Sequence, residues 1–319
     1  MKSVFQSRFK TCLEDFVAQK RALGFAYRTE MFILRRFDQM CLQMFPDESV
    51  LTKKIGDMWA TLRLNESRAT LHCRLAPVRE LAKYLVRQGA DAYLPESLHI
   101  PESTKRQVPH IFTDEELVMF FTAADRLEYC RRSPIRHLIV PVFFRLMYCC
   151  GLRPSETRLI RKEDIDFRKR TIKIRNSKGR KDRLVVMSED VSLLCEKYFA
   201  LTCEMVPGNN YFFPNWCKRH PYLASSWLFE MFHLCWDTSG IVNYSGKRPR
   251  PYDFRHSFAT KRLYGWLREE KNLEARLPYL SAYMGHSNFT HTAYYIHLVP
   301  EYFQQMAGAN LGDFEALLP

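Results

Sequence analysis

The sequence predicts a mostly α-helical protein of two domains, with one small antiparallel β-sheet inside the second. Three observations lead there. Apolar residues recur at helical spacing over almost the whole chain. A stretch from 95 to 110, PESLHIPESTKRQVPH, carries three prolines and disfavours both helix and strand. Between Asp164 and Ser188 the spacing switches to short β-rich runs around a turn.

In the first 94 residues the periodic runs cover roughly 4–23, 28–45, 52–63 and 67–88, with Gly24, Pro46 and Gly89 near the breaks. Beyond the linker, Thr113-Asp114-Glu115-Glu116 reads as a helix start, with Thr113 as cap and Glu116 closing a capping box. Helices are expected at about 113–125 and 134–149. The sheet is expected from IDF, TIKIR and RLVVM, with the turn SKGRKD centred on Lys178-Gly179. Helical spacing returns over about 189–203, 222–237, 254–269, 273–284 and 288–307.

Composition narrows the function classes. Hydrophobic residues make up 46% of 319, enough for two packed cores. No apolar stretch reaches the ~18 residues of a membrane span, and MKSVFQSRFK lacks a signal-peptide core. A cytoplasmic protein with no membrane partner is expected. Ten scattered cysteines without a CxxC pair read as reduced, mostly buried thiols. The net charge of +13 favours nucleic acid as partner. The charge is concentrated: Arg153 to Arg183 holds thirteen Lys/Arg against five Asp/Glu, whereas 299–319 holds no Lys or Arg.

Five short signals follow in order. GLRPSE (151–156) carries Arg153 and Glu156. Lys178 sits at the hairpin tip. PYDFRHSFAT (251–260) carries Tyr252, Asp253, Arg255 and His256. MGHS (284–287) carries His286, and Tyr295 follows nine residues later. Singly these are weak: Arg153 alone reads as a capping arginine and Lys178 as a solvated turn residue. Jointly, over about 106–319, they resemble the tyrosine recombinase (phage integrase) family. The N-terminal helices resemble its SAM-like core-binding domain more loosely.

The resemblance implies a core-binding domain over 1–94, a linker over 95–110, and a mixed α+β catalytic domain over 111–319, closing as a C-shaped clamp on duplex DNA. It implies cleavage and rejoining of DNA through a 3′-phosphotyrosine on Tyr295. Two guanidiniums suit the extra negative charge of a pentacoordinate phosphorus, because they stay charged and bind oxygens bidentately; Arg153 and Arg255 are the candidates. Lys178 would protonate the departing 5′ oxygen, and His286 would hydrogen-bond the phosphate. Glu156 and Asp253 would orient the arginines. Tyr252 departs from the family, which usually has histidine there. A phenol titrates near ~10 and is the poorer base, so His256 is the candidate substitute.

No cofactor is implied, ATP is not needed, and the His286–His291 spacing misses one helical face, which argues against a metal. Candidate DNA contacts are Arg28, Lys53, Lys54, Arg68 and Arg74 in the first domain, and Arg175, Arg180 and Lys181 on the hairpin. The expected role is integration, excision or transposition of a mobile element, by a dimer on each site and a tetramer in synapsis, with accessory proteins allowed. No additional N-terminal arm-binding domain is expected. The tail's apolar residues (Tyr302, Phe303, Met306, Leu311, Phe314, Leu317, Leu318) either fold back or dock on a neighbouring protomer. Two rivals remain: a type IB topoisomerase, and a catalytically inactive DNA-binding module.

Overall fold

The computed structural model describes residues 4–96, 108–175, 182–216, 220–242, 248–269, 272–286, 288 and 290–296. The chain divides into two compact units, Met1–Gln107 and Val108–Pro319.

The first unit is helical, with α1 (Lys10–Ala22), α2 (Arg28–Met44), α3 (Lys53–Ala60) and α4 (Arg68–Arg87). Gly24 and Gly89 follow α1 and α4 with positive φ of 93° and 79°, which glycine adopts without a Cβ penalty. The core gathers Phe9, Phe16, Phe37, Trp59 and Val78. Asp38, buried on α2, accepts hydrogen bonds from the backbone N–H groups of Gln6 and Ser7 at 2.8 and 3.1 Å, and so ties down the N-terminal segment.

The second unit holds α5 (Asp114–Asp125), α6 (Arg136–Cys150), α7 (Pro154–Arg158), β1 (Ile165–Asp166), β2 (Thr171–Ile174), β3 (Arg183–Val186), α8 (Glu189–Thr202), α9 (Ser225–Thr238), α10 (Asp253–Arg268) and α11 (Leu273–Met284). A further short helical segment covers 290–296. The expected Thr113 cap and Glu116 capping box are both present at α5. The strands form one antiparallel sheet, ordered β1-β2-β3, with Ile174 opposite Arg183 as the last pair before the tip.

The fold is therefore mostly helical with a small antiparallel sheet, as the sequence predicts. Sequence periodicity does not separate out α7, because five residues are too few for a 3.6-residue repeat to register. The tip of the hairpin, with Lys178, Arg180 and Lys181, lies outside the described residues. So do most of the segment 95–110 and all of the tail 299–319.

The core of the second unit is aromatic. Phe254 sits at its centre, with ring centroids 4.7 Å from Phe112, 5.1 Å from Phe120 and 5.5 Å from Phe232. Such rings each bury a large apolar area and prefer tilted or offset contacts. Phe254 precedes Arg255 on α10, so the cage that holds the phenyl ring also fixes where the guanidinium starts.

The described cysteines are free thiols, four of them buried: Cys41, Cys150, Cys195 and Cys235. Cys12, Cys130 and Cys203 are half-buried, and Cys73 and Cys149 are exposed. Among the described residues no helix is long and apolar enough to cross a membrane.

Candidate active site

Four of the sequence motifs converge around one buried guanidinium. The GLR turn comes first. Gly151 ends α6 with φ of 59°, and a Cβ there would meet the Phe258 ring at 2.5 Å, so glycine is required twice over. The buried carbonyl of Gly151 accepts a hydrogen bond from Arg255 Nη1 at 2.7 Å. Arg153 then caps α7. Its backbone N–H donates to Glu156 Oε2 at 2.9 Å, and Pro154 at the first helical position loses no bond there. The Arg153 side chain donates to Glu156 Oε1 at 2.6 Å and to the Gly285 carbonyl at 2.9 Å.

Arg255 is fully buried. Besides Gly151 it donates to the Met284 carbonyl and to His286 Nε2, the latter at 3.1 Å. Its Nε has no hydrogen-bond partner among the described residues. Glu156 stands 3.9 Å away, too far for a hydrogen bond. Burial, then the neighbouring charge of Arg153, lowers the pKa of Arg255.

His286 follows Gly285, the left-handed cap of α11 with φ of 64°. The imidazole Nδ1 lies 2.7 Å from the Thr292 hydroxyl. With Nε2 accepting from Arg255, the consistent tautomer carries its proton on Nδ1 and donates it to Thr292. Burial first, then the charges of Arg255 and Arg153, push the His286 pKa down to about 3, so the ring is neutral at physiological pH.

Tyr295 is 2% exposed. Its ring lies 6.0 Å from His286, nearly parallel to it, and 5.5 Å from His256. Burial raises the phenol pKa to about 12, against the lowering influence of Arg255's charge. Tyr294, the adjacent phenol, is half-buried with its ring 6.1 Å from Tyr295. His256 lies between Tyr252 and Tyr295, its ring 5.1 Å from that of Tyr252. Burial, then the charges of Arg250 and Arg255, lowers its pKa to about 4, and its Nδ1 has no partner among the described residues. Tyr252 is exposed at the start of α10.

Glu156 joins the arginines. It accepts from Arg153 and, through both oxygens, from Arg183 Nη1 and Nη2 at 2.9 and 2.8 Å. Burial pushes its pKa up, but the bonds and charge of Arg183, with those of Arg153, outweigh this and hold it at about 2.

Two expectations are corrected. Asp253 does not orient Arg255: its oxygens take the backbone N–H and Nη2 of Arg250 at 2.8 and 3.0 Å, because it reaches back onto the segment that precedes its own helix. Arg74 is not placed to meet DNA. It is buried, stacks 4.8 Å from the Trp59 ring, and donates to the Trp59 and Thr61 carbonyls and to both oxygens of Glu66. Arg28, Lys53, Lys54 and Arg68 are exposed at the starts of α2, α3 and α4. Arg175 is exposed and paired with Asp164 and, at 3.2 Å, Glu163.

Motif reading missed Arg183 and Thr292. Arg183 had a signal: period two along RLVVM places it on the face of Val185 and Met187, both buried, whereas Leu184 and Val186 are exposed. An arginine on the inner face of a strand needs a partner. Thr292 had none beyond its distance from His286.

Comparison with known proteins decides the family. Residues 111–301, more than half of the chain, match the Phage integrase family. The chain belongs to this family, the tyrosine recombinases. It is 26% identical over 306 residues to integrase/recombinase y4rB of Sinorhizobium fredii, covering 94% of this chain and 96% of that protein. A tyrosine recombinase of Pseudothermotoga lettingae is 29% identical over 197 residues, covering 62% and 59%. Among solved structures, the Tn1549 transposon integrase in complex with transposon right end DNA shares the fold with a TM-score of 0.61 at 18% identity, covering 96% of this chain and 97% of that one. The XerH recombinase bound to a palindromic difH substrate gives 0.59 at 16% identity, covering 88% and 77%. Membership in the tyrosine recombinases places the chain among site-specific recombination enzymes.

Proposed function

We propose that this recombinase acts for a mobile element, cutting and rejoining duplex DNA through a 3′-phosphotyrosine on Tyr295. The observation that carries the reading is Arg255: a fully buried guanidinium whose Nε is unpartnered among the described residues, beside the Tyr295 and His286 rings. A buried donor without a partner costs about 1–3 kcal/mol. A phosphodiester oxygen is the partner that chemistry would supply.

In this reading Arg153 and Arg255 hold the non-bridging oxygens, and Tyr295 Oη attacks phosphorus once DNA gives it access. The bond from phosphorus to the 5′ oxygen breaks, and that oxygen takes its proton from Lys178, a role carried by the family resemblance. His256 accepts the Tyr295 proton: it is neutral and close, with a free Nδ1 among the described residues. Buried phenol and depressed imidazole make that transfer uphill alone, so it accompanies formation of the P–O bond. The phosphotyrosine keeps the bond energy for rejoining, and no ATP is required. The arginines supply the positive charge that a metal gives elsewhere, so cleavage should survive EDTA.

Exposed Arg28, Lys53, Lys54 and Arg68, each opening a helix, are proposed backbone contacts, where helix dipoles add to the side-chain charge. Arg175, Arg180 and Lys181 extend them onto the hairpin. The DNA-bound recombinases among the solved structures support DNA as the partner, and Tn1549 supports the mobile-element role; a dimer on each site and a tetramer in synapsis belong to the same proposal. A nicked suicide duplex tests the chemistry. Wild type should trap a covalent adduct in EDTA, and Tyr295→Phe should bind equally yet trap none. Adducts that persist in Tyr295→Phe and vanish in Tyr294→Phe would move the nucleophile. A two-site assay yielding relaxation without recombinants would favour a topoisomerase.

A further inference from the structure

We propose that Arg183 is a positioning residue of this site: its guanidinium occupies the fork of Glu156 and braces the turn before His286, leaving Arg153 donors for phosphate. The proposal rests on the cleavage reading above. Three contacts carry it. Arg183 Nη1 and Nη2 take the two oxygens of Glu156 at 2.9 and 2.8 Å, and Nε donates to the Tyr283 carbonyl at 2.8 Å. The side chain is 9% exposed, so these bonds are shielded from water. A Cβ on Gly285 would lie 3.0 Å from Arg183 Nη1, so the turn closes directly onto the guanidinium.

Arg183 thus touches both walls of the cradle that holds Arg153, namely Glu156 and the Gly285 turn. The consequence is electrostatic as well as geometric. A carboxylate accepts one guanidinium bidentately. Arg183 takes that position, and the Arg153 side chain meets Glu156 through Nη1 alone. Without Arg183 the fork would open to Arg153, which would turn onto the carboxylate and away from the substrate. One negative charge shared by Arg183 and Arg153, with Arg255 3.9 Å away, also leaves net positive charge to meet a phosphate. Arg183 is the first residue of β3, paired with Ile174 of β2, so the sheet fixes where its side chain starts.

The test uses the full chain and a nicked duplex in two forms, one with oxygen and one with sulfur as the 5′ leaving atom. A thiolate leaves without general acid help, so the sulfur substrate rescues Lys178→Ala and no variant whose phosphate clamp is displaced. Arg183→Lys cannot span both Glu156 oxygens and the Tyr283 carbonyl. It should bind DNA like wild type but form adduct about 100-fold more slowly, a typical loss for a misplaced catalytic group. The loss should be equal on both substrates. The acid limb of its rate profile should move to higher pH, because Glu156 loses the paired hydrogen bonds that hold its carboxyl low. Arg183→Gln should be slower still; if it fails to fold, Arg183→Lys decides. Wild-type rates in either variant, or recovery on the sulfur substrate, overturn the proposal. Absence of adduct from the wild type itself would instead fail the cleavage reading.

Discussion

Each unit of this protein buries an arginine, and the two are treated differently. Arg74, in the helical first unit, is surrounded by acceptors: two carbonyls and both oxygens of Glu66, with Trp59 against its face. Glu66 answers it so fully that hydrogen bonding from Arg74 holds the carboxyl at about 2. Arg255, in the second unit, has two carbonyls and a neutral imidazole but no carboxylate within hydrogen-bond distance, and its Nε stays unpartnered among the described residues. A satisfied buried charge serves the fold, since removing either partner strands the other. An under-satisfied one has bonding capacity left for something that arrives later. That difference separates a latch from a site.

The contrast can be attacked at either end. The largest effect should come from Arg255→Lys, which keeps the charge but loses the planar fork. Suicide-substrate cleavage should fall by about 100- to 1,000-fold, as for loss of a preorganised oxyanion donor, while half-site binding in band shifts persists. Cleavage near wild type would mean the unpartnered Nε has no role in the chemistry. Arg74→Ala should do the reverse. It leaves Glu66 without its main cation and should cost on the order of 3 kcal/mol in urea unfolding. At a temperature where it is folded, its cleavage rate should match wild type. A specific loss of DNA affinity at unchanged stability would restore Arg74 as a contact.

The smallest effect is a pH dependence. Because Glu66 titrates lower in the folded protein than its ordinary 4.5, its contribution is complete above that value and disappears as pH falls toward about 2. The stability difference between wild type and Glu66→Gln should therefore be constant above about pH 5.5 and shrink through the acid range. A difference that grew on acidification would contradict the latch.

The two units also differ in how much could be read from sequence. The helices of the first unit follow apolar spacing closely: runs at 28–45 and 67–88 became Arg28–Met44 and Arg68–Arg87. The roles of its cations did not follow, because periodicity says which face is buried but not whether a long cationic side chain folds back. Arg74 shares α4 with exposed Arg68, and only the Trp59 and Glu66 contacts separate them. In the second unit, motif order identified Arg153, Arg255, His286 and Tyr295, which the fold brings together across more than 140 residues. Asp253 failed because a carboxylate two residues from an arginine on a helix points elsewhere and finds Arg250 instead. Arg183 went unnoticed because it belongs to no motif, although strand alternation had already placed it inward.

Tyr295, stored against His286 and His256 beside an under-satisfied Arg255, is the residue proposed to become joined to DNA. Protease digestion of the trapped wild-type adduct, followed by mass spectrometry of the nucleotide-bearing peptide, reads this directly. The nucleotide should be found on Tyr295 through its phenolic oxygen. A nucleotide on Tyr294 or Tyr252, or on no tyrosine at all, would contradict it.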